Sequence, residues 1–253
     1  MANIKIIPIG SGSSGNSFYI NIDNHQLIID FGLSYKKMKE ALSTNNININ
    51  DIEYGFITHK HNDHINGLKV CLKNFNMPYY TINSCANYLN KKYETNVFKS
   101  IKANGQIIID DLIVKTIKLS HDVECTGYIF ETSNCKVVYA TDTGYINQKA
   151  LEAFKGADVV IIEANHDIDM LENGTYPRML KDRIESDFGH LSNQDCANVI
   201  KYLNENGTNN FLLAHLSKEN NTEELALKEV NQVLTKKANL YVCPIYGNDL
   251  LFF

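Results

Sequence analysis

The sequence lacks the features that mark secreted and membrane proteins. No apolar run is long enough to span a bilayer, and residues 1–7 show no charged region followed by a long apolar core. Six cysteines are scattered without a C-x-x-C pair, which is typical of reduced thiols rather than of a disulfide framework. These absences predict a cytoplasmic protein without a membrane segment. The cysteines are Cys71, Cys85, Cys125, Cys135, Cys196 and Cys243.

Internal boundaries are also missing from the sequence. It has no linker rich in proline, glycine or serine, no low-complexity run and no abrupt change in composition. Asparagine is abundant over residues 45–50, which we interpret as a loop leading into the next strand. The chain is therefore predicted to form one domain, residues 1–253.

An excess of positive charge is absent as well. The net charge is −5 and the pI is near 5.9, whereas a dedicated nucleic-acid binder usually presents a basic face. Composition alone therefore does not predict tight binding to DNA. Basic residues nevertheless recur locally, at Lys91, Lys92, Lys99 and Lys102, and again at Arg178, Lys181 and Arg183.

The sequence does contain a dense cluster of metal-binding side chains, His59, His61, Asp63 and His64. An apolar segment before the cluster predicts a buried strand, and an amphipathic segment after it predicts a helix, so the cluster lies on a connecting loop. In extended backbone His59 and His61 share a face and can hold one ion, while Asp63 and His64 turn toward a second. Imidazole and carboxylate suit zinc, iron or manganese, and a shared pair of such ions makes a hydrolytic centre. The alternative is a polar loop that happens to hold three histidines.

The spacing H-x-H-x-D-H after a buried strand resembles the metallo-β-lactamase superfamily. That family supplies further ligands from later strand ends, and His121, Asp142 and His215 follow predicted strands in the expected order. The resemblance implies a hydrolase with two divalent metal ions (zinc, manganese or iron), no organic cofactor, and a hydroxide bridging the ions as nucleophile. It also implies the ligand sets: His59, His61 and His121 for one metal, Asp63, His64 and His215 for the other, and Asp142 between the two.

Two early segments extend the resemblance. Residues 10–17 read Gly-Ser-Gly-Ser-Ser-Gly-Asn-Ser, in which Ser13, Ser14 and Asn16 offer hydroxyls and amides to a phosphate. An ordinary turn between two strands explains the same residues equally well. Asp30 ends the third predicted strand, and in the superfamily an aspartate at this position braces the metal loop.

Further motifs are similar to one group of the superfamily, the YycJ group, also called WalJ or VicX. They are the Gly-Ser-rich turn, residues 163–167 (Glu-Ala-Asn-His-Asp), residues 188–193 (Phe-Gly-His-Leu-Ser-Asn) and residues 214–221. Members are bacterial cytoplasmic metallohydrolases associated with a cell-wall two-component signalling system and with 5′→3′ DNA exonuclease activity. The resemblance therefore implies phosphodiester hydrolysis, with DNA as the expected partner.

The resemblance also suggests residues that act on the substrate. Asp63 and His190 are the catalytic candidates, because a phosphodiester leaving oxygen needs a proton and a histidine beside a helix start can supply it. The alternative for His190 is packing or helix capping. For two further groups of residues the sequence allows two interpretations. His166 either lines the site or holds the following loop, and Arg178 and Arg183 either contact phosphates or form a solvated helix face. His25 is expected to be exposed in a turn.

The predicted order of elements fits an α/β (α+β) fold, an αββα sandwich of two mixed β-sheets flanked by helices. The resemblance implies the sandwich; periodicity alone indicates only α/β or α+β. Helices are predicted at 35–44, 64–74, 83–93, 193–206 and 222–234, with Ser192 and either Asn221 or Thr222 as N-caps of the last two. Strands are predicted at 4–9, 17–22, 26–30, 54–58, 113–119, 127–132, 137–141, 159–163, 211–215 and 240–243.

Other functions remain open at this point. The same centre could hydrolyse a small phosphodiester, a thioester or a lactone, because the ligands do not select the substrate. A non-catalytic regulator of the signalling pathway could keep the fold as a binding surface. The complete ligand set and His190 favour an enzyme over the regulator, since a degenerate member is free to lose its ligands.

Overall fold

The chain folds into two mixed β-sheets flanked by helices. In residues 3–253, which the computed structural model describes, fourteen strands form. Most are apolar, with valine, isoleucine and aromatic side chains that suit a pleated, buried surface. The strands are β1 Ile4–Gly10, β2 Ser17–Ile22, β3 His25–Ile29, β4 Tyr54–Phe56, β5 Tyr79–Ile82, β6 Phe98–Ile101, β7 Gln106–Ile109, β8 Leu112–Leu119, β9 Cys125–Glu131, β10 Lys136–Ala140, β11 Val159–Glu163, β12 Asn210–Ala214, β13 Asn239–Val242 and β14 Leu251–Phe252.

Several helices begin at side-chain caps. Ser34, Asn147, Asp167, Ser192 and Thr222 each accept a hydrogen bond from a backbone N–H of the first helical turn. No helix of the described chain is both long and apolar enough to cross a membrane. The helices are α1 Tyr35–Thr44, α2 Asn62–Ile65, α3 Leu68–Cys71, α4 Asn83–Tyr93, α5 Gln148–Phe154, α6 Ile168–Asn173, α7 Arg178–Glu185, α8 Asn193–Glu205 and α9 Glu223–Val233, with a 3₁₀ turn at Ile49–Asp51.

The first sheet has the order β14-β1-β2-β3-β4-β5-β6. The pairs from β14 to β3 are antiparallel and those from β3 to β6 are parallel. Side chains of this sheet, with Met38 of α1 and Leu89 of α4, form one continuous apolar core. Burial on both faces explains why β2 and β3 are apolar runs rather than alternating ones.

The second sheet has the order β13-β12-β11-β10-β9-β8-β7. Strands β10 to β13 are parallel, and β7 and β8 form an antiparallel hairpin. Phe154, Ile200 and Val230 of α5, α8 and α9 belong to the apolar core of this sheet. Because β10, β11 and β12 run in the same direction, their carboxyl ends lie at one edge of the sheet.

The backbone contacts cluster into two compact units. The first contains the described residues up to Thr116, together with Phe130–Cys135 and Pro244–Phe253. The second contains Ile117–Ile129 and Lys136–Cys243.

The structure confirms the predicted fold class and most predicted elements. Helices 35–44 and 83–93 have the predicted bounds, and Ser192 and Thr222 are the observed caps. Prediction from sequence missed β5, β6, β7 and β14, which have two to four residues each, and the helices α5 and α6, while α7 forms where a solvated helix face was one alternative for Arg178 and Arg183. Such short elements carry too few residues for a periodic pattern.

Two local predictions were wrong. The helix predicted at 64–74 is broken into α2 and α3, because the Gly67 N–H bonds to Phe31 O (2.7 Å) instead of continuing the helix. His25 is not exposed in a turn: it begins β3, is largely buried, and its Nε2 lies 2.7 Å from Asp111 Oδ1. A histidine next to a carboxylate tolerates burial that an unpaired one would not.

Backbone hydrogen bonds lock the segment after β3 to the loop after β4. Phe31 N donates to His64 O (2.8 Å). At Gly32 the two segments approach so closely that a Cβ atom would lie 1.6 Å from Asp63 O. This contact fixes the position of the histidine-rich loop, and only glycine fits there.

Replacement of Gly32 by alanine is therefore expected to destabilise the protein by at least about 3 kcal/mol, the upper end of ordinary overpacking costs, because backbone must move. Gly156→Ala is the matched control: Gly156 has φ +66°, and a Cβ added there would have no heavy atom within 4 Å. It should cost roughly 1 kcal/mol for the left-handed backbone alone. Urea unfolding midpoints check both values, and equal losses would show that the close approach at Gly32 is unimportant.

Candidate metal centre

The loop after β4 brings three imidazole rings together. His59 and His64 are fully buried, and the His59 ring centroid lies 4.6 Å from that of His61 and 4.2 Å from that of His64. The chain leaves β4 in extended form and turns into α2 at Asn62, so His64 folds back toward His59. The loop thus gathers its histidines on one side.

A buried carboxylate, Asp30, holds this loop. It accepts hydrogen bonds from the Thr58 N–H (2.9 Å) and the Thr58 hydroxyl (2.9 Å), and its Oδ2 lies 2.7 Å from His64 Nδ1. The Thr58 hydroxyl also contacts His59 Nδ1 (3.0 Å). These partners assign the ring protons of His59 and His64 to Nδ1, so that Nε2 is the acceptor nitrogen of each ring. Burial raises the pKa of Asp30, and the charge of His64 opposes that rise.

Asn16 lies against the same loop. Its Nδ2 is 3.1 Å from Asp63 Oδ2 and 3.0 Å from His64 Nε2, and its Oδ1 accepts from the Gly12 N–H (2.8 Å). The side chain is fully buried, so it links the Gly-Ser-rich turn to the loop. Of the two serines expected to meet phosphate, Ser13 is exposed and Ser14 is half-buried.

Three further candidate ligands follow strand ends in the second unit. His121, Asp142 and His215 come after β8, β10 and β12, and all three side chains are buried. Asp142 Oδ1 lies 3.5 Å from His215 Nε2. Asp142 (φ 60°) and His215 (φ 59°) adopt left-handed backbone, as does Asp30 (φ 60°), which is uncommon for residues with a Cβ and concentrates at functional sites.

Glu163 organises the polar cluster of the second unit, a role that the sequence did not predict. Its Oε1 lies 2.8 Å from His215 Nδ1 and 2.7 Å from His190 Nδ1. Its Oε2 accepts from the Thr143 N–H (2.9 Å). Burial works against the charged carboxylate, but the two histidines outweigh it, and the pKa of Glu163 falls to about 2. The available signal was a carboxylate ending the apolar strand β11.

His190 lies among these residues. Its side chain is 21% exposed, its Nδ1 is 4.0 Å from Asp142 Oδ1, and its ring centroid is 5.3 Å from those of His121 and His215. Burial opposes its protonation, but the adjacent Glu163 charge prevails and raises the pKa of His190 above its ordinary value. Asp142, Glu163, His190 and His215 offer ligand atoms within 4.8 Å of one another.

The other residues predicted to contact substrate are His166, Arg178 and Arg183. His166 is buried, and burial lowers its pKa to about 4, so the imidazole is neutral at pH 7. Its backbone O accepts from the N–H of Asn193, at the start of α8. Arg178 and Arg183 are exposed on α7 but already paired with acids. Arg178 contacts Glu172 (2.9 Å) and Asp182 (2.6 Å), and Arg183 contacts Asp122.

The chemistry of these donors fits a divalent metal. Each unit presents buried imidazole and carboxylate groups, the ligand types that zinc, manganese and iron accept. His64 and His215 each hold a carboxylate through Nδ1, an arrangement that fixes the ring and strengthens Nε2 as a ligand. The His/Asp clusters therefore support the use of divalent metal by this protein.

Comparison with known proteins agrees with this site. The sequence matches the β-lactamase superfamily domain over residues 25–216. It is 37% identical over 234 residues to the exodeoxyribonuclease YycJ of Bacillus anthracis, covering 90% of this chain and 88% of that protein. It is 38% identical over 232 residues to the exodeoxyribonuclease WalJ of Streptococcus pneumoniae serotype 2, covering 89% and 86%. Among solved structures, the metallo-β-lactamase fold protein YhfI of Bacillus subtilis matches with a TM-score of 0.76 at 17% identity, over 99% of this chain and 100% of that one.

The structural match shows the fold, and the sequence matches show the family. They confirm the family that the H-x-H-x-D-H spacing and the strand-end residues predicted. The chain belongs to the metallo-β-lactamase superfamily and, within it, to the YycJ/WalJ family.

Proposed function

We propose that this protein is a metal-dependent exodeoxyribonuclease that degrades DNA in the 5′→3′ direction. The observation that carries the proposal is the 37–38% identity to proteins named exodeoxyribonucleases, which extends over about 90% of the chain. The buried His/Asp clusters support a hydrolase, because they have the ligand chemistry of metal-assisted phosphodiester cleavage. We place it in the cytoplasm, where its six cysteines, all buried and free of disulfides, would persist as thiols.

We propose that the two units act together as one catalytic domain, since the family match over residues 25–216 runs through both. Two divalent ions, when bound, would supply Lewis acidity toward the phosphodiester and activate water. Asp63 would serve both as a ligand and as a catalytic carboxylate. The residues that would hold them are His59, His61 and His121 for the first ion, Asp63, His64 and His215 for the second, and Asp142 for both.

His190 is proposed to protonate the leaving oxygen. Its partly exposed side chain can reach a substrate, and its Nδ1 is held 2.7 Å from Glu163 Oε1, which leaves Nε2 to carry the proton that is donated. Glu163 contacts His215 as well, so one carboxylate orients a proposed ligand and the proposed acid. Glu163 is therefore a positioning residue.

The proposed substrate contacts have unequal support. Ser13 is exposed and free to meet a phosphate, and Ser14 is half-buried beside it in the same turn. Asn16 is committed to Asp63 and His64, so it would act mainly by holding the loop. Arg178 and Arg183 must exchange carboxylate partners before they bind phosphate, and His166 is buried and neutral.

The proposed polarity predicts a simple digestion pattern. DNA labelled at its 5′ end should lose the label at once as a short product, whereas DNA labelled at its 3′ end should shorten progressively. Gel analysis of timed digests, alongside a set of small phosphodiesters, a thioester and a lactone, distinguishes the activities that the fold allows. The reverse pattern would refute the polarity, and hydrolysis of small substrates without any DNA cleavage would refute the exonuclease.

The proposed ligands predict two metal ions per chain. Protein purified without chelator and reloaded with zinc or manganese should approach two equivalents by elemental analysis. The combined loss of Asp63, His64 and His215 to alanine should leave about one. Asp142→Ala should lower the affinity of both sites, because its carboxylate is proposed to serve both. Saturation of the wild-type protein at one equivalent would contradict the binuclear centre.

The proposed acid predicts a dependence on the leaving group. His190→Ala should lower DNA turnover by roughly 10²–10⁴-fold, the usual contribution of one positioned acid. Bis(p-nitrophenyl) phosphate needs little protonation of its leaving group and should lose much less. His25→Ala, which removes a buried histidine paired with Asp111, is the control for general damage. Equal losses on both substrates, or loss of bound metal, would assign His190 to structure or ligation.

A further inference from the structure

Positive charge is segregated in one stretch of this acidic chain. Residues 59–105 contain seven lysines and two carboxylates, Asp63 and Glu94, a net charge of +5 in a protein whose total is −5. All seven lysines are exposed. The stretch begins within the histidine-rich loop itself, where Lys60 stands between His59 and His61. The overall charge therefore conceals a strongly basic surface segment that starts at the proposed metal ligands.

The lysines of this stretch are available to an anion. Among the residues that the structure describes, Lys60, Lys69, Lys73 and Lys92 have no ion pair with a carboxylate. The arginines of α7 differ in this respect, because Arg178 lies within ion-pair distance of three acids. A lysine without a carboxylate partner gains from a phosphate without first breaking an ion pair.

An exposed aromatic ring lies among these lysines. Tyr88 of α4 is 40% exposed, and Lys60 Nζ and Lys92 Nζ each lie 5.5 Å from its ring centroid. Lys92 Nζ is also 5.5 Å from the ring of Tyr93. A partly exposed aromatic ring beside two cations is suited to stack a base while its neighbours meet the phosphates.

The basic surface continues into a cleft beside α3 and α4. The cleft has a volume of about 670 Å³ and is lined by three of the lysines. It is open to solvent and carries one acidic side chain, so its charge complements a polyanion. Its lining residues are Lys69, Leu72, Lys73, Lys92, Tyr93, Glu94 and Thr95.

Helix stabilisation explains only part of this pattern. Lys91 and Lys92 occupy the last turn of α4, where cations interact favourably with the helix dipole. That effect does not account for Lys60 in the loop, for Lys73 beyond the end of α3, or for an exposed tyrosine between lysines. A ligand of extended negative charge with stacking bases accounts for all of them.

We propose that Lys60, Lys69, Lys73, Tyr88 and Lys92 form a lysine–tyrosine surface that binds single-stranded DNA and leads it to the histidine-rich loop. The lysines contact successive phosphates and Tyr88 stacks on a base. This inference rests on the proposed exonuclease function and gives its substrate a path. In this proposal the lysines in and near α3 and α4 make the phosphate contacts that the sequence suggested for Arg178 and Arg183.

The test is DNA affinity measured by fluorescence anisotropy on the metal-loaded protein, with a labelled oligothymidylate whose phosphorothioate links resist cleavage. The triple variant Lys69→Ala/Lys73→Ala/Lys92→Ala should bind DNA at least about tenfold more weakly at low salt. The negative slope of its log affinity against log salt should become shallower by about 2. The control, Lys201→Ala/Lys228→Ala/Lys237→Ala, removes three exposed lysines from elsewhere and should keep both values. A lysine triple variant that behaves like the control overturns the surface.

Stacking is tested separately. Tyr88→Ala should weaken single-strand binding by about tenfold, and Tyr88→Phe should restore it because the ring remains. The loss should be larger for a single strand than for a blunt duplex, and equal losses overturn the single-strand assignment. If the wild-type protein binds DNA through these lysines but cleaves none, the exonuclease proposal fails while the surface stands. If it cleaves DNA and the triple variant binds normally, only the surface fails.

Discussion

The buried carboxylate of Asp30 is the constraint on which the histidine-rich loop of the first unit depends. A carboxylate without solvent must be fully paired, and Asp30 achieves this with Thr58 and His64. Those bonds order the loop before any ligand arrives, because they fix the ring of His64 and, through the Thr58 hydroxyl, that of His59. Removal of one partner would leave the other polar group buried and unpaired, so the loop is held cooperatively.

The second unit repeats this arrangement with Glu163. There too a carboxylate at a strand end is buried and takes the Nδ1 side of a histidine, His215, whose Nε2 faces Asp142. Glu163 differs in holding a second histidine, His190, and in keeping its pKa low despite burial. Strand ends suit this purpose, because the sheet fixes the backbone. After β3 and β12 the next residues, Asp30 and His215, adopt left-handed backbone.

The sequence predicts those parts of the structure that depend on local pattern. Helix α1 has a serine cap and an amphipathic face, and its predicted bounds agree with the structure. The break between α2 and α3 depends on Gly67 meeting Phe31 from a distant segment, which no local pattern reveals. The same reason hides Glu163: a glutamate at the end of an apolar strand becomes informative only when two histidines are seen to converge on it.

Net charge is the clearest case of a global quantity that misleads. Buried carboxylates such as Asp30 and Glu163 add to the negative charge count without contributing to the charge of the surface. The arginines that look basic in sequence are neutralised by adjacent acids, as at Arg178. The segment from Lys60 to Lys102 contains seven lysines but two carboxylates, Asp63 and Glu94. An electrostatic argument about a polyanionic substrate must therefore count unpaired surface charge within a Debye length of the site, about 10 Å, rather than the charge of the protein.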